Sequence, residues 1–213
     1  MSESLLSDIV LVDIIGFSKL SLARQLEIIT YISKSYKKLI NKMLSNSDLT
    51  LEAFLSGIIP TGDGFFCVLN PAYRGFGAIL ALSFSHLSDL IANKYTYFKG
   101  IRIAVHTGEV NRFTDILEQD NFVGYGLNEC QRYISSQEDH PGTVIISDKA
   151  YSTLEDFLFH HRDFHRLLLL REFKYSTPFV FTDKHHYQYT GYLIWMRQGG
   201  IINPPSLTST QRN

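Results

Sequence analysis

Two aspartates stand where apolar, strand-like runs give way to glycine turns: Asp13 in LVDIIGFSKL and Asp63 in IIPTGDGFF. A carboxylate displayed at the end of a buried strand is a hard oxygen ligand, and two of them can share magnesium. Phosphoryl-transfer sites are often built this way, because the metal offsets the phosphate charge that repels an attacking oxygen. Taken singly, each aspartate also reads as a turn residue that satisfies local backbone. The segment after Asp13, Ile14-Ile15-Gly16-Phe17-Ser18, joins a strand to a helix, so its backbone N–H groups can cradle a triphosphate where glycine permits close approach. Further on, Asn128 and Arg132 lie four apart in GYGLNECQRYI, which puts an amide and a guanidinium on one helix face. The guanidinium can neutralise charge developing on a transferring phosphoryl oxygen, and the amide can fix a ribose. By themselves, the pair also fits a solvated helix face.

The elements that must position these groups follow from periodicity. Residues 8–14 read as a buried strand. After Ser18, the residues Leu22, Leu26, Ile29, Ile32, Tyr36, Leu39 and Met43 trace an amphipathic helix. Apolar runs at 50–59 and 65–69 flank Thr61-Gly62-Asp63-Gly64, a hairpin signal that puts Asp63 at the tip. A second helix runs from Ile79 to Ile91, and the stretch 99–110 alternates as a strand up to Gly108. Helical patterns at 126–136 and from Asp148 to Phe157 bracket the strand TVIIS. The order is βαββαβ, an α/β (α+β) plan with a C-terminal β elaboration. In that elaboration TGYLIWM is the clearest strand.

At 213 residues and 45% hydrophobic, the chain can bury a full core, and it is read as one domain over 1–198 with a flexible tail over 199–213. A net charge of -1 gives no global attraction for nucleic acid or an anionic membrane, so phosphate must be held locally. No apolar run reaches the roughly 18 residues of a membrane span and no export signal opens the chain, which predicts a cytoplasmic protein. Cys67 and Cys130 sit in apolar runs and are read as buried thiols. His160, His161, His165, His185 and His186 lack a metal-ligand spacing, and His106 is read as a core or supporting residue rather than a general base.

Four segments in one order, VDIIGFS, GDGFF, RIAVHTGEV and GLNECQRY, resemble the class III nucleotide cyclase catalytic domain over about residues 8–155. The resemblance implies a ferredoxin-like α/β domain working as a head-to-tail homodimer, with each active site formed between subunits. It implies two Mg²⁺ or Mn²⁺ ions held by Asp13, Ile14 and Asp63, with phosphate contacts from Ile15, Gly16, Phe17 and Ser18. From the other subunit, Asn128 would position the ribose and Arg132 would stabilise the transition state. The family's late triphosphate lysine falls on Lys174 or Arg171. The product of such a site is a 3′,5′-cyclic nucleotide and pyrophosphate.

The chain departs from the family at the base readers. Adenylate cyclases carry a lysine three residues before the hairpin glycine and an aspartate seven before the helix asparagine; here those positions hold Ile59 and Asn121. An apolar wall with one amide fits a pyrimidine, and uracil's N3–H beside two carbonyls suits an amide presented from either face. Phe54 and Ser56 lie on the run leading to Ile59 and are further candidates to line the base pocket. The chain in this respect is similar to the short cyclases of bacterial Pycsar anti-phage systems, which implies UTP as substrate. CTP and then ATP follow as alternatives, along with a catalytically silent nucleotide sensor.

Overall fold

The computed structural model describes residues 4–45, 49–136, 143–183 and 186–205. Its first half runs β1 (Ser4–Ile14), α1 (Leu22–Leu44), α2 (Leu51–Phe54), β2 (Leu55–Pro60), β3 (Gly64–Leu69), α3 (Gly77–Ala92) and β4 (Ile101–Thr114). Then come β5 (Asp120–Val123), α4 (Tyr125–Ser136), β6 (Val144–Ser147), α5 (Asp148–His160), α6 (Arg162–Leu170), β7 (Phe173–Tyr175), β8 (Phe179–Thr182) and β9 (Gln188–Met196). The strands form one sheet in the order β2-β3-β1-β4-β6-β9-β7, with β5 paired to β4 and β8 to β9. The expected βαββαβ unit is present, with α2 as a single added turn.

Strand β1 is central because both its faces are apolar. Val10 and Val12 join the layer of α1, α3 and α5, whereas Ile9 and Leu11 pack beneath α4 with Cys130 and Tyr133. Helix α1 presents Ile28, Ile32, Tyr36, Ile40 and Met43 to the first layer at the spacing of one helical face. Tyr36 stacks on Phe84 of α3, with ring centroids 4.4 Å apart. Both cysteines are free and buried, and burial pushes the Cys67 thiol up to about 12.

Asp8 is 2% exposed inside this core. Its Oδ2 accepts the N–H groups of Gly75 and Gly77 at 2.7 and 3.0 Å, and its Oδ1 accepts the Thr107 hydroxyl at 2.7 Å. The start of α3, whose N-cap residue Phe76 makes no side-chain cap, is thereby capped from β1.

Several expectations need correction. The run 50–59 is not all strand: Thr50 accepts the Ala53 N–H at 3.2 Å and starts the α2 turn. That turn puts Phe54 at 0% exposure against Tyr73 and Phe76, with centroids 5.2 and 5.9 Å away, so Phe54 is core and does not line a base pocket. Strand β4 does not stop near Gly108 but continues to Thr114 and pairs with β5. The weak pattern beyond Phe157 contains a helix, α6, anchored by the buried Leu168. Residues 199–205 are also more than a loose end, because Arg171 donates to the carbonyls of Gly199 and Ile201 and Ile202 is 1% exposed. Residues 206–213 and His185 lie outside the described residues.

Candidate active site

The two aspartates meet because β1 and β3 are antiparallel neighbours. Asp13 stands opposite Gly64, and the Ile14 N–H donates to the Asp63 carbonyl at 2.9 Å. Only glycine fits at 64, where an added Cβ would lie 1.8 Å from the Val12 carbonyl oxygen. Gly62, at φ 91, turns the hairpin, and Thr61 N–H closes it on the Gly64 carbonyl at 3.0 Å. The result brings Asp63 back over the end of β1.

Burial pushes the Asp13 carboxyl above its usual value, the charge of Asp63 pushes the same way, and Arg102 opposes both. Arg102 stands opposite Asp13 on β4, and its Nε and Nη2 both donate to Asp13 Oδ2, at 3.0 and 2.6 Å. A pair of mutually repelling acids held beside one guanidinium fits a cation: the acids supply hard oxygens, and no third acid, histidine or cysteine joins them among the described residues. A divalent ion there would be held by Asp13 and Asp63, with phosphate oxygens and water completing its shell.

Arg102→Met should leave the two acids without a protein counter-charge. Thermal unfolding in metal-free buffer is expected to fall by about 4 °C, on the order of 1–2 kcal/mol for a chain of this size, and Mn²⁺ should raise the variant more than the wild type. Equal Mn²⁺ responses in the two proteins would show that Arg102 does not stand in for the ion.

The phosphate segment is arranged differently from the expectation. The Ile15 N–H is already donated to the Gly100 carbonyl at 3.1 Å, so Ile15 offers no backbone donor. Gly16, at φ 68, turns the chain into a single 3-10 turn over Phe17–Lys19, whose first N–H groups, on Phe17 and Ser18, have no partner within it. Helix α1 begins only at Leu22, so Gly16, Phe17 and Ser18 lie before it and a phosphate held there would not meet its N-terminus directly.

Asn128 and Arg132 share one side of α4, Asn128 exposed and Arg132 half-buried. Together they line a cavity of about 530 Å³ with Gln131, Phe181 and Asp183. The other face of α4 is fixed by Cys130, whose thiol lies 3.6 and 3.7 Å from the carbonyls of Ile9 and Ala104. His106 is 1% exposed beneath this helix, with Nε2 2.8 Å from Glu129 Oε2. Burial pulls its imidazole down to about 4 and Lys149 adds to this, whereas Glu129 shares its own charge with Lys149, 3.7 Å away. A neutral imidazole packed against Glu129 and stacked on Tyr133 supports α4 and is not placed as a base.

Neither Asp13 nor Asp63 lines the Asn128–Arg132 cavity. The acids sit between β3, β1 and β4, whereas Arg132 contacts Asp183 and Tyr189, beyond β6 in the sheet order. One chain therefore keeps the acid pair and the Asn128–Arg132 pair apart. Lys174 does not line that cavity: it is exposed on β7, opposite Trp195, at the edge of the sheet. Arg171 is committed to the 199–201 backbone.

At the base-reading positions, Ile59 packs against the cluster containing Phe66 and Phe122. Phe122 lies over Gly57 of β2, where an added Cβ would be 2.4 Å from the ring, so β2 and β5 are held together. The Asn121 Oδ1 accepts the Phe122 N–H at 2.8 Å, and the amide lies near the Asp115 carboxylate. That bond sets which way the amide faces, whereas the sequence reading left either face open.

No protein-family profile matches the sequence, and comparison with curated proteins finds no relative. Solved structures do match. The catalytic core of a rhodopsin-guanylyl cyclase with converted specificity, in complex with ATPαS, is similar at TM-score 0.64 and 16% identity, covering 92% of this chain and 98% of that one. The fold is that of nucleotide cyclase catalytic domains. The guanylate cyclase domain of RhGC from Catenaria anguillulae, in complex with GTP, matches at TM-score 0.63 and 16% identity, over 92% of this chain and 100% of that chain. A bacterial light-regulated adenylyl cyclase matches at TM-score 0.59 and 13% identity, over 93% of this chain and 53% of the other.

Within the cyclase fold, sequence reasoning missed three residues that contact the acid pair or the Asn128–Arg132 pair: Arg102, Asp183 and Tyr189. Arg102 lay in a segment already singled out, and alternation along β4 places it on the same sheet face as His106. The signal in Asp183 and Tyr189 was weaker, an aromatic, turn-rich stretch without helical or strand periodicity at its centre. Among the described residues, no helix is long and apolar enough to cross a membrane.

Proposed function

We propose that the chain is a divalent-metal-dependent nucleotide cyclase that converts UTP to 3′,5′-cyclic UMP and pyrophosphate, as a homodimer with two shared active sites. The observation that carries this reading is the meeting of Asp13 and Asp63 at the β1 end, inside a cyclase fold whose Asn128–Arg132 half-site lies elsewhere on the chain. A second copy is the simplest source of the missing half for each site. The exposed apolar groups around the β4–β5 turn, Ile116 and Leu117 at 99% and 71%, are in keeping with a protein that associates.

When bound, the metal ions supply positive charge against the triphosphate and acidify the ribose 3′-hydroxyl. The 3′-oxygen attacks the α-phosphorus in line, the bond to the bridging oxygen breaks, and pyrophosphate leaves with the electron pair while the hydroxyl proton passes to water. Asp13 and Asp63 hold the ions, and Gly16, Phe17 and Ser18 direct N–H groups at phosphate oxygens. Asn128 orients the ribose. Arg132 meets the charge that grows on the phosphoryl oxygens.

The base assignment rests on Ile59 and Asn121. No charged side chain replaces the family's lysine and aspartate there, and Asn121, whose Oδ1 takes the Phe122 N–H, retains a carbonyl lone pair and amide N–H groups. That is what uracil's N3–H and a neighbouring carbonyl require, and a fixed order of donor and acceptor lets an amide separate uracil from cytosine. The solved cyclase core described as having converted specificity, with ATPαS bound, is in keeping with a fold that tolerates changed base readers. On the resemblance to Pycsar cyclases, we assign the product to signalling against phage.

The deciding experiment incubates the purified chain with Mn²⁺ and each of UTP, CTP, GTP and ATP, and measures cyclic product and pyrophosphate. UTP is expected to lead in kcat/KM by about tenfold or more. A lead by CTP or ATP replaces the base assignment, and no cyclic product from any of the four removes the enzyme reading.

A further inference from the structure

Arg132 is gripped by the β8–β9 hairpin. Its Nε lies 3.2 Å from Asp183 Oδ2, its Nη1 donates to the Tyr189 hydroxyl, and its guanidinium carbon sits 5.6 Å from the Tyr189 ring centroid. Asp183 has only 7% of its side chain exposed, and its Oδ1 accepts the Tyr187 N–H at 3.0 Å, so the carboxylate cannot swing away freely. The hairpin is itself locked to α4. Tyr133 meets Phe181 and Tyr189 edge-on at 5.3 and 5.7 Å, and its hydroxyl donates to the Thr190 carbonyl at 3.0 Å. Phe181 and Tyr189 stack on each other at 5.4 Å.

A long arginine on a helix surface samples many rotamers, and a catalytic guanidinium must be held to a fraction of an ångström. Here two of its three nitrogens are tied, and Nη2 remains for a ligand in the cavity that Arg132 shares with Asn128. We propose that Asp183, with Tyr189, is the positioning residue for Arg132: it fixes the guanidinium so that Nη2 meets the phosphoryl group. This deepens the proposed cyclase function and rests on Arg132 acting in that site.

Asp183 then touches no substrate, and its loss should appear in kcat rather than KM. With the nucleotide that the wild type turns over fastest and saturating Mn²⁺, Asp183→Ala should lower kcat by about 10- to 100-fold, with KM changed by less than about threefold. Tyr189→Phe keeps the ring stack and loses only the hydroxyl; it should lower kcat by about threefold while leaving thermal unfolding unchanged, which guards against a variant that merely folds poorly. Introduced into Arg132→Ala, Asp183→Ala should add no further loss, because the group it positions is already gone. Wild-type kcat in both single variants, or a full additional loss in the Arg132→Ala background, overturns the assignment while the cyclase reading stands. Unchanged kcat in Arg132→Ala itself overturns both.

Discussion

Asp63→Asn is expected to abolish cyclic-nucleotide formation, with kcat/KM reduced by about 10³-fold or more. The change removes one negative charge and leaves the side-chain shape and the hairpin nearly intact. Asp63 reaches the Asp13 carboxyl from the hairpin tip, and Gly64 can be nothing larger. With one carboxylate left, a divalent ion keeps too few hard protein ligands to sit firmly against the triphosphate, and the charge offset in the transition state is lost. The measurement is product formation across an Mn²⁺ titration, alongside thermal unfolding. A folded variant with wild-type turnover at low Mn²⁺ would remove the two-metal mechanism.

Arg132→Ala should be nearly as damaging in kcat, by about 10²- to 10³-fold, since its charge is needed most when the phosphoryl oxygens are most negative. The informative step is mixing. Asp63→Asn and Arg132→Ala proteins, each inactive alone, should regain about a quarter of wild-type activity when subunits exchange at equal amounts. Half the dimers are then mixed, and each mixed dimer carries one interface with all four groups intact. Subunit exchange, read by a tag on one partner, with no recovery of activity would mean that each chain builds its site alone.

The parts of the site readable from sequence were those encoded locally. Asp13 and Asp63 are marked by apolar runs ending in glycine, and Asn128 and Arg132 by helical spacing. Whether the acids meet depends on β1–β3 pairing, which the hairpin signal alone does not give and which the family resemblance implied. Arg102 was not, because its bond to Asp13 joins residues 89 apart and exists only once β1 and β4 pair in one particular register. Tyr189 reaches Arg132 across 57 residues for the same reason. The misplacement of Phe54 came from reading an apolar run as strand when Thr50 supplied a helix cap, and Lys174 was placed by analogy in a region where strand order was unknown.

Asp8 has a consequence for how the molecule is made. The first turn of α3 borrows its cap from a carboxylate 69 residues upstream, and that carboxylate also takes a hydroxyl from Thr107 on the strand that follows. The Gly77 bond needs β1 and α3 together and the Thr107 bond needs β4 as well, so the carboxylate is fully satisfied only once all three have left the ribosome. Cutting the chain before β4, or deleting β1, strands a buried carboxylate or an uncapped helix end. The domain is therefore expected to assemble late and all at once, and to resist being split into separately stable fragments.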